Sequence, residues 1–116
     1  MTNDCLFCQI INGQISSQRV YEDTDFIAIL DIKPISSGHT LLMPKAHYLN
    51  LLDLPEDLLA KLGPVLQKLG QEVKLNNQAD GLNIAINNGR TAGQIIDHTH
   101  IHLIPRFNGD ALKLMP

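Results

Sequence analysis

Apolar and polar positions recur along this chain with two different periods, and the periods mark out its elements. Residues 19–32, RVYEDTDFIAILDI, carry apolar residues on both sides of the polar stretch EDTD, which predicts a β-hairpin. GHTLLMP, residues 38–44, is a second strand region, opened by Gly38 and closed by Pro44. Residues 53–75 change to a helical period, with Leu58, Leu59, Leu62, Val65, Leu66, Leu69 and Val73 on the repeat. Asp53 and Glu56 have the spacing of a capping box ahead of that helix. Gly63-Pro64 falls inside it. A proline there removes a backbone donor and crowds the preceding turn, so a kinked helix and two separate helices both stay open. GLNIAINN, from residue 81, returns to strand character. The glycine-bearing loop NGRTAGQ follows, then a last strand, HTHIHLIPR, and a tail, FNGDALKLMP. There is no internal repeat and no low-complexity segment. Strand pairs around one long helix predict a single α+β domain over residues 1–116, built on an antiparallel sheet.

Composition narrows the function without naming it. A hydrophobic fraction of 44% in 116 residues suffices for one core and not for two. The formal net charge of −3 argues against a general nucleic-acid binder, which would show a basic face. It leaves room for a small phosphorylated ligand, which needs only a few local donors. No apolar run is long enough to cross a bilayer. MTNDCLFCQI lacks the basic start and long apolar stretch of a signal peptide, and Cys5 and Cys8 are too few to staple a secreted fold. The expected compartment is the cytoplasm, with no membrane or nucleic-acid partner.

The most informative chemistry is the row of histidines in the last strand. The chain has five histidines, and His98, His100 and His102 account for three. In a strand they share one face, while Thr99, Ile101 and Leu103 share the other. Neighbours lie roughly 6.6 Å apart at the backbone and the outer two about 13 Å, so one metal ion cannot serve all three without strain. Any single one reads equally well as an ordinary polar position. Three at alternate positions in a histidine-poor chain argue for a divided task.

The N-terminal CLFC offers an occupation for the first. Two thiolates at this spacing can hold one zinc ion, and a structural zinc site needs four ligands. With no third cysteine, the remainder must be histidine or carboxylate, and His47 and His98 are the favoured candidates. A redox pair and two ordinary core cysteines are the alternatives, although a redox motif wants a strand before it and only four residues precede this one. His100 and His102 are then left for chemistry. A neutral imidazole can attack phosphorus and hold it covalently, provided anion donors surround the phosphate. Asn87 and Gln94 carry amide donors just upstream, and Gly89 and Gly93 allow backbone N–H groups to approach oxygens closely. That loop reads equally well as a plain connection.

Together these segments resemble the histidine triad (HIT) family, in particular its small zinc-binding branch of nucleotide phosphoramidases and hydrolases. CLFCQIINGQI, VYEDTDFIAILDIKP, GHTLLMPKAH, GLNIAINNGRTAGQ and HTHIHLI fall in the family's order over nearly the whole chain. The resemblance implies an α+β fold with one long and one short helix, completed by a second copy into a continuous sheet. It implies a purine nucleotide as ligand and His100 as the nucleophile on the α-phosphorus, forming a nucleotidyl-histidine that water resolves. His102 would contact the phosphate and assist the leaving group. Asn87, Gly93 and Gln94 would bind phosphate, Asp31 the ribose hydroxyls, and Ile32 the base. Cys5, Cys8, His47 and His98 would hold a structural zinc. His39, also a family feature, is expected to make a structural hydrogen bond.

Three departures stand out. Ile95 follows the GQ where the family usually has a hydroxyl, which keeps alive a nucleotide-binding or scaffold protein with little turnover. Asp97 occupies a position that is often aromatic or apolar, and it is expected to point away from the phosphate, since a carboxylate there would repel it. The tail is short and lacks tryptophan, which puts tail-based substrate selection in doubt. A zinc-dependent interaction module without a ligand is the third alternative.

Overall fold

A computed structural model describes residues 4–112. Five strands form one antiparallel sheet in the order β1-β2-β3-β5-β4. They are β1 (Arg19–Glu22), β2 (Phe26–Leu30), β3 (Thr40–Pro44), β4 (Gly81–Ile86) and β5 (Ile101–Arg106). The expected hairpin is β1-β2, turned by Asp23, whose carboxylate accepts from the N–H groups of Asp25 and Phe26 at 2.8 and 2.7 Å. A carboxylate that satisfies the backbone two and three residues on is the usual chemistry of such a turn.

The expectation of a single core is corrected: strand alternation divides the apolar residues between two clusters, one on each face of the sheet, which share the strands between them. Phe26, Ala28, Leu42, Ile101 and Leu103 project to one face, where α2 (Glu56–Asn76) lays Leu58, Leu62, Leu69 and Val73 over them. Ile27, Ile29, Leu41 and Met43 project to the other face, where the short helix α1 (Leu6–Ile11) adds Phe7 and Ile10. Each such side chain contributes about 1.5–3 kcal/mol on burial, so both helices are held by packing more than by propensity.

The long helix is unbroken: Pro64 lies inside α2. Pro64 and Ala60, whose carbonyl loses its usual donor, are both exposed, so solvent can satisfy that carbonyl. The capping-box expectation is corrected. Asp53 ends a 3-10 turn (Leu51–Asp53), and α2 starts after Pro55 with no side-chain cap. Asn50 caps the 3-10 turn instead, accepting from Leu52 N–H at 3.0 Å. The last strand also begins later than expected, at Ile101, so His98 and His100 precede it. Residues 107–112 of the tail fold back: Asp110 accepts from Arg106 Nε at 2.8 Å and from Phe107 N–H at 3.0 Å. Residues 113–116 lie outside the described residues.

Candidate active site

Burial of Ile101 and Leu103 under α2 turns His102 to the opposite face, the face covered by α1. The segment leading into β5 keeps its histidines on that side without being a strand. Thr99 pins it, its N–H and its hydroxyl both donating to the Tyr48 carbonyl, at 2.8 and 3.1 Å. Phe7 of α1 packs edge-on against His98 and His100, with centroids 5.9 and 5.0 Å away. The His100 and His102 rings are 5.2 Å apart.

Partner atoms that can only accept, or only donate, fix the proton on each ring. His98 Nε2 lies 2.8 Å from the Pro44 carbonyl, which can only accept, so Nε2 carries the hydrogen and Nδ1 is bare. That bare Nδ1 faces sulfur, 3.5 Å from Cys5 Sγ and 3.6 Å from Cys8 Sγ. His100 is arranged the other way. Its Nδ1 lies 2.7 Å from the His98 carbonyl, so Nδ1 carries the hydrogen and Nε2 is bare. His102 is set by His39. The Ile35 N–H donates to His39 Nδ1 at 3.1 Å, which leaves the hydrogen on His39 Nε2. That Nε2 donates to His102 Nδ1 at 3.0 Å, so the hydrogen of His102 sits on Nε2. Burial pushes the pKa of His102 down to about 4, reinforced by the neighbouring His100, and keeps the ring neutral at physiological pH. Burial also lowers that of His39, against the pull of Asp31, whose Oδ2 lies 3.7 Å away. His39 was expected to make a structural hydrogen bond; what sequence reading did not identify was its partner, His102. The available signal was His39 itself, one of few histidines, placed one residue ahead of β3.

The loop after β4 brings its candidates together with different duties. Asn87 Nδ2 donates to the Gly93 carbonyl at 3.4 Å. Gly93 has φ +96°, and a Cβ there would sit 3.3 Å from Asn87 Nδ2, so only glycine is comfortable. Gln94 is 2% exposed and its amide is fully engaged within the protein. Its Nε2 donates to the carbonyls of Leu49 and Ile96 at 2.6 and 2.9 Å, and its Oε1 accepts from Gly89 N–H at 2.8 Å and from Asn50 at 3.5 Å. Asp97 is more than half exposed and pairs with Arg90 at 3.0 Å. Asp31 Oδ1 accepts from Lys33 N–H at 2.9 Å, and Ile32 is 89% exposed, a bare apolar side chain beside a carboxylate.

Cys5, Cys8, His47 and His98 converge, their donor atoms all within 4.8 Å of one another. Cys8 Sγ lies 3.4 Å from His47 Nδ1. A tetrahedral zinc would place sulfur and nitrogen ligands about 3.6 Å apart, so the sulfur–nitrogen spacing suits that ion. Local structure accounts for the pairing of the cysteines. Cys5 caps α1, its sulfur accepting from Cys8 N–H at 3.3 Å, so the first helical turn brings the two sulfurs to one side.

Comparison with known proteins identifies the family. The chain is 43% identical to an uncharacterized HIT-like protein of Mycobacterium tuberculosis over 110 residues, covering 95% of this chain and 76% of that protein. It is 43% identical to the adenosine 5'-monophosphoramidase of Candida albicans over 106 residues, covering 88% of this chain and 70% of that one. The fold superposes with a TM-score of 0.94 on the crystal structure of SMU.412c from Streptococcus mutans, at 44% identity, covering all of this chain and 74% of that one. It superposes at 0.90 on a zinc-bound histidine triad family protein from Mycobacterium smegmatis, at 42% identity, covering 98% of this chain and 83% of that one. The HIT domain profile matches residues 12–109, and the chain belongs to the HIT family.

Proposed function

We propose that this protein is a purine nucleotide hydrolase or nucleotidyl transferase that releases a nucleoside monophosphate from an amine, phosphate or acyl group through a nucleotidyl-histidine on His100. One observation carries the reading: His100 holds its hydrogen on Nδ1, against the His98 carbonyl, and presents a bare Nε2 beside a neutral His102. The His100 Nε2 lone pair attacks the α-phosphorus, and the bond to the leaving group breaks with its electron pair. His102 Nε2–H hydrogen-bonds the phosphate oxygens and the departing atom, which takes its proton from solvent as it leaves. Water then attacks the same phosphorus, gives its proton to solvent and breaks the bond to Nε2, which frees neutral His100. Asn87 and the backbone at Gly93 bind phosphate, and Gln94 serves that site by holding the loop. Asp31 accepts the ribose hydroxyls, since two donors suit an ionised acceptor, and Ile32 packs on the base. The phosphoramidase activity named for the Candida relative fits this chemistry.

Cys5, Cys8, His47 and His98 would hold a structural zinc, in keeping with the zinc-bound neighbour. Four protein ligands would leave no open position, so these residues would tie α1 to the histidine segment and help orient His100. A homodimer is supported by β4, an edge strand whose Ile84 is 48% exposed. Residues 1–116 act as one domain, and the cytoplasm is the proposed compartment. Among the described residues no helix is long and apolar enough to cross a membrane.

A second reading, nucleotide binding with little turnover, is favoured by Ile95, 79% exposed where a hydroxyl was expected. Adenosine or guanosine phosphoramidate distinguishes the two. Release of nucleoside monophosphate, reduced at least about a thousandfold in His100→Asn, supports the enzyme. Tight binding without turnover in either protein overturns it and leaves the second reading.

A further inference from the structure

We propose that Arg90 and Asp97 are positioning residues that aim the peptide N–H groups of Ile95 and Ile96 at the substrate phosphate; this rests on the nucleotide reading above. Arg90 lies exposed on the surface but folds back over its own loop. Its Nη1 donates to the Ile95 carbonyl at 2.5 Å and to the Gln94 carbonyl at 3.4 Å, and its Nη2 donates to Asp97 at 3.0 Å. One guanidinium thus closes a ring around residues 90–97, a planar fork that a lysine could not reproduce.

The consequence lies on the far side of the peptides. In a trans peptide the N–H points opposite to the carbonyl of the preceding residue, and the described chain has no cis bonds. Drawing the Gln94 and Ile95 carbonyls toward Arg90 turns the N–H groups of Ile95 and Ile96 the other way. Neither makes a hydrogen bond with any described residue, nor does the Asp97 N–H, while Gln94 N–H donates to Gly89 and His98 N–H to Ile96. The Ile95 and Ile96 donors, the two turned by the clamp, follow directly on the loop that carries Asn87 and Gly93. They lead within two residues into His98, whose carbonyl holds His100. Paired peptide donors of this kind suit an anion, and developing negative charge most of all. They also explain how the chain manages with Ile95: the donor comes from the backbone, and the clamp supplies the orientation that a hydroxyl would otherwise find by rotating.

Both partners of the ion pair are more than half exposed, so its contribution is modest and lies in geometry. Turnover of adenosine phosphoramidate is measured for Arg90→Ala, Arg90→Lys, Asp97→Asn and the Arg90→Ala/Asp97→Asn double variant. Amide NMR spectra are recorded with and without AMP. Arg90→Ala should lower kcat about three- to tenfold with KM nearly unchanged, and Asp97→Asn less. The double variant should be no worse than Arg90→Ala, because the two act as one device. Arg90→Lys should resemble Arg90→Ala, since it keeps the ion pair and loses the carbonyl fork. The Ile95 and Ile96 amide resonances should shift on AMP binding in the wild type and shift much less in Arg90→Ala. Wild-type kcat in Arg90→Ala, or AMP-insensitive amides in a wild type that binds AMP, overturns the proposal. A wild type that binds AMP without turning over is read by the amides alone. A wild type that neither binds AMP nor turns over removes the nucleotide reading, and the clamp's role with it.

Discussion

His98 and His102 stand at the two ends of one histidine row, and the protein treats them alike in one respect and oppositely in another. Burial holds both neutral, each with its pKa pushed down to about 4. His98 gives its hydrogen to a backbone carbonyl through Nε2 and leaves Nδ1 bare toward the cysteines. His102 receives a hydrogen bond at Nδ1 from His39 and keeps its own hydrogen on Nε2. The same residue type, two turns of alternation apart, presents a bare nitrogen to the cysteines at one end and an N–H at the other. The partner of the inward nitrogen decides the role of the outward one.

This contrast can be tested by variants that separate the two ends. The largest effect is expected from His102→Ala: a loss of about 10²- to 10³-fold in kcat/KM for phosphoramidate, with the melting temperature nearly unchanged. Cys8→Ser should do the reverse. Metal analysis should fall from about one zinc per chain toward none, and the melting temperature should drop by roughly 10 °C, while kcat declines only a few-fold. Equal damage to activity and stability from both variants would dissolve the division between the two ends. His39 sharpens the point further. His39→Gln keeps a donor near the Nε2 position and should retain most activity, whereas His39→Asn, which mimics Nδ1, should lose about tenfold in kcat, as steady-state kinetics would register.

Acid titration gives a smaller effect with a definite sign. The His102 pKa is lower in the folded chain than its ordinary value of about 6.5, so between about pH 4 and 6.5 the unfolded chain binds more protons. Stability should therefore be full above that window and fall as pH drops through it. His102→Asn should lose less melting temperature than wild type over that range; an identical loss would show that His102 is not held neutral. The smallest effect belongs to Ile32→Ala, a few-fold rise in KM with kcat unchanged, because an exposed side chain offers only uniform contact to a base.

The apolar periods made the sheet and the long helix legible. The alternation in FIAIL and TLLMP and the repeat from Leu58 to Val73 report directly which face is buried. Local signals that depend on tertiary competition were harder to read. Asp53 has the spacing of a cap, yet Asn50 and Pro55 move the helix start past it. HTHIHLIPR alternates from its first residue, yet Tyr48 captures Thr99 and delays the strand to Ile101. Gln94 was legible as part of the loop, but not the direction of its amide, which is spent on Leu49, Ile96, Gly89 and Asn50.

The sequence by itself determined the architecture, the histidine row, the ligand types near the N-terminus and the glycine loop, because periodicity and residue chemistry are local properties. Only the tertiary structure decided which nitrogen of each histidine is free, that His39 sets His102, and that Arg90 reaches across its own loop to Asp97. Those outcomes depend on contacts between segments as far apart as Cys5 and His98 or His39 and His102, and on carbonyls that no side-chain pattern encodes.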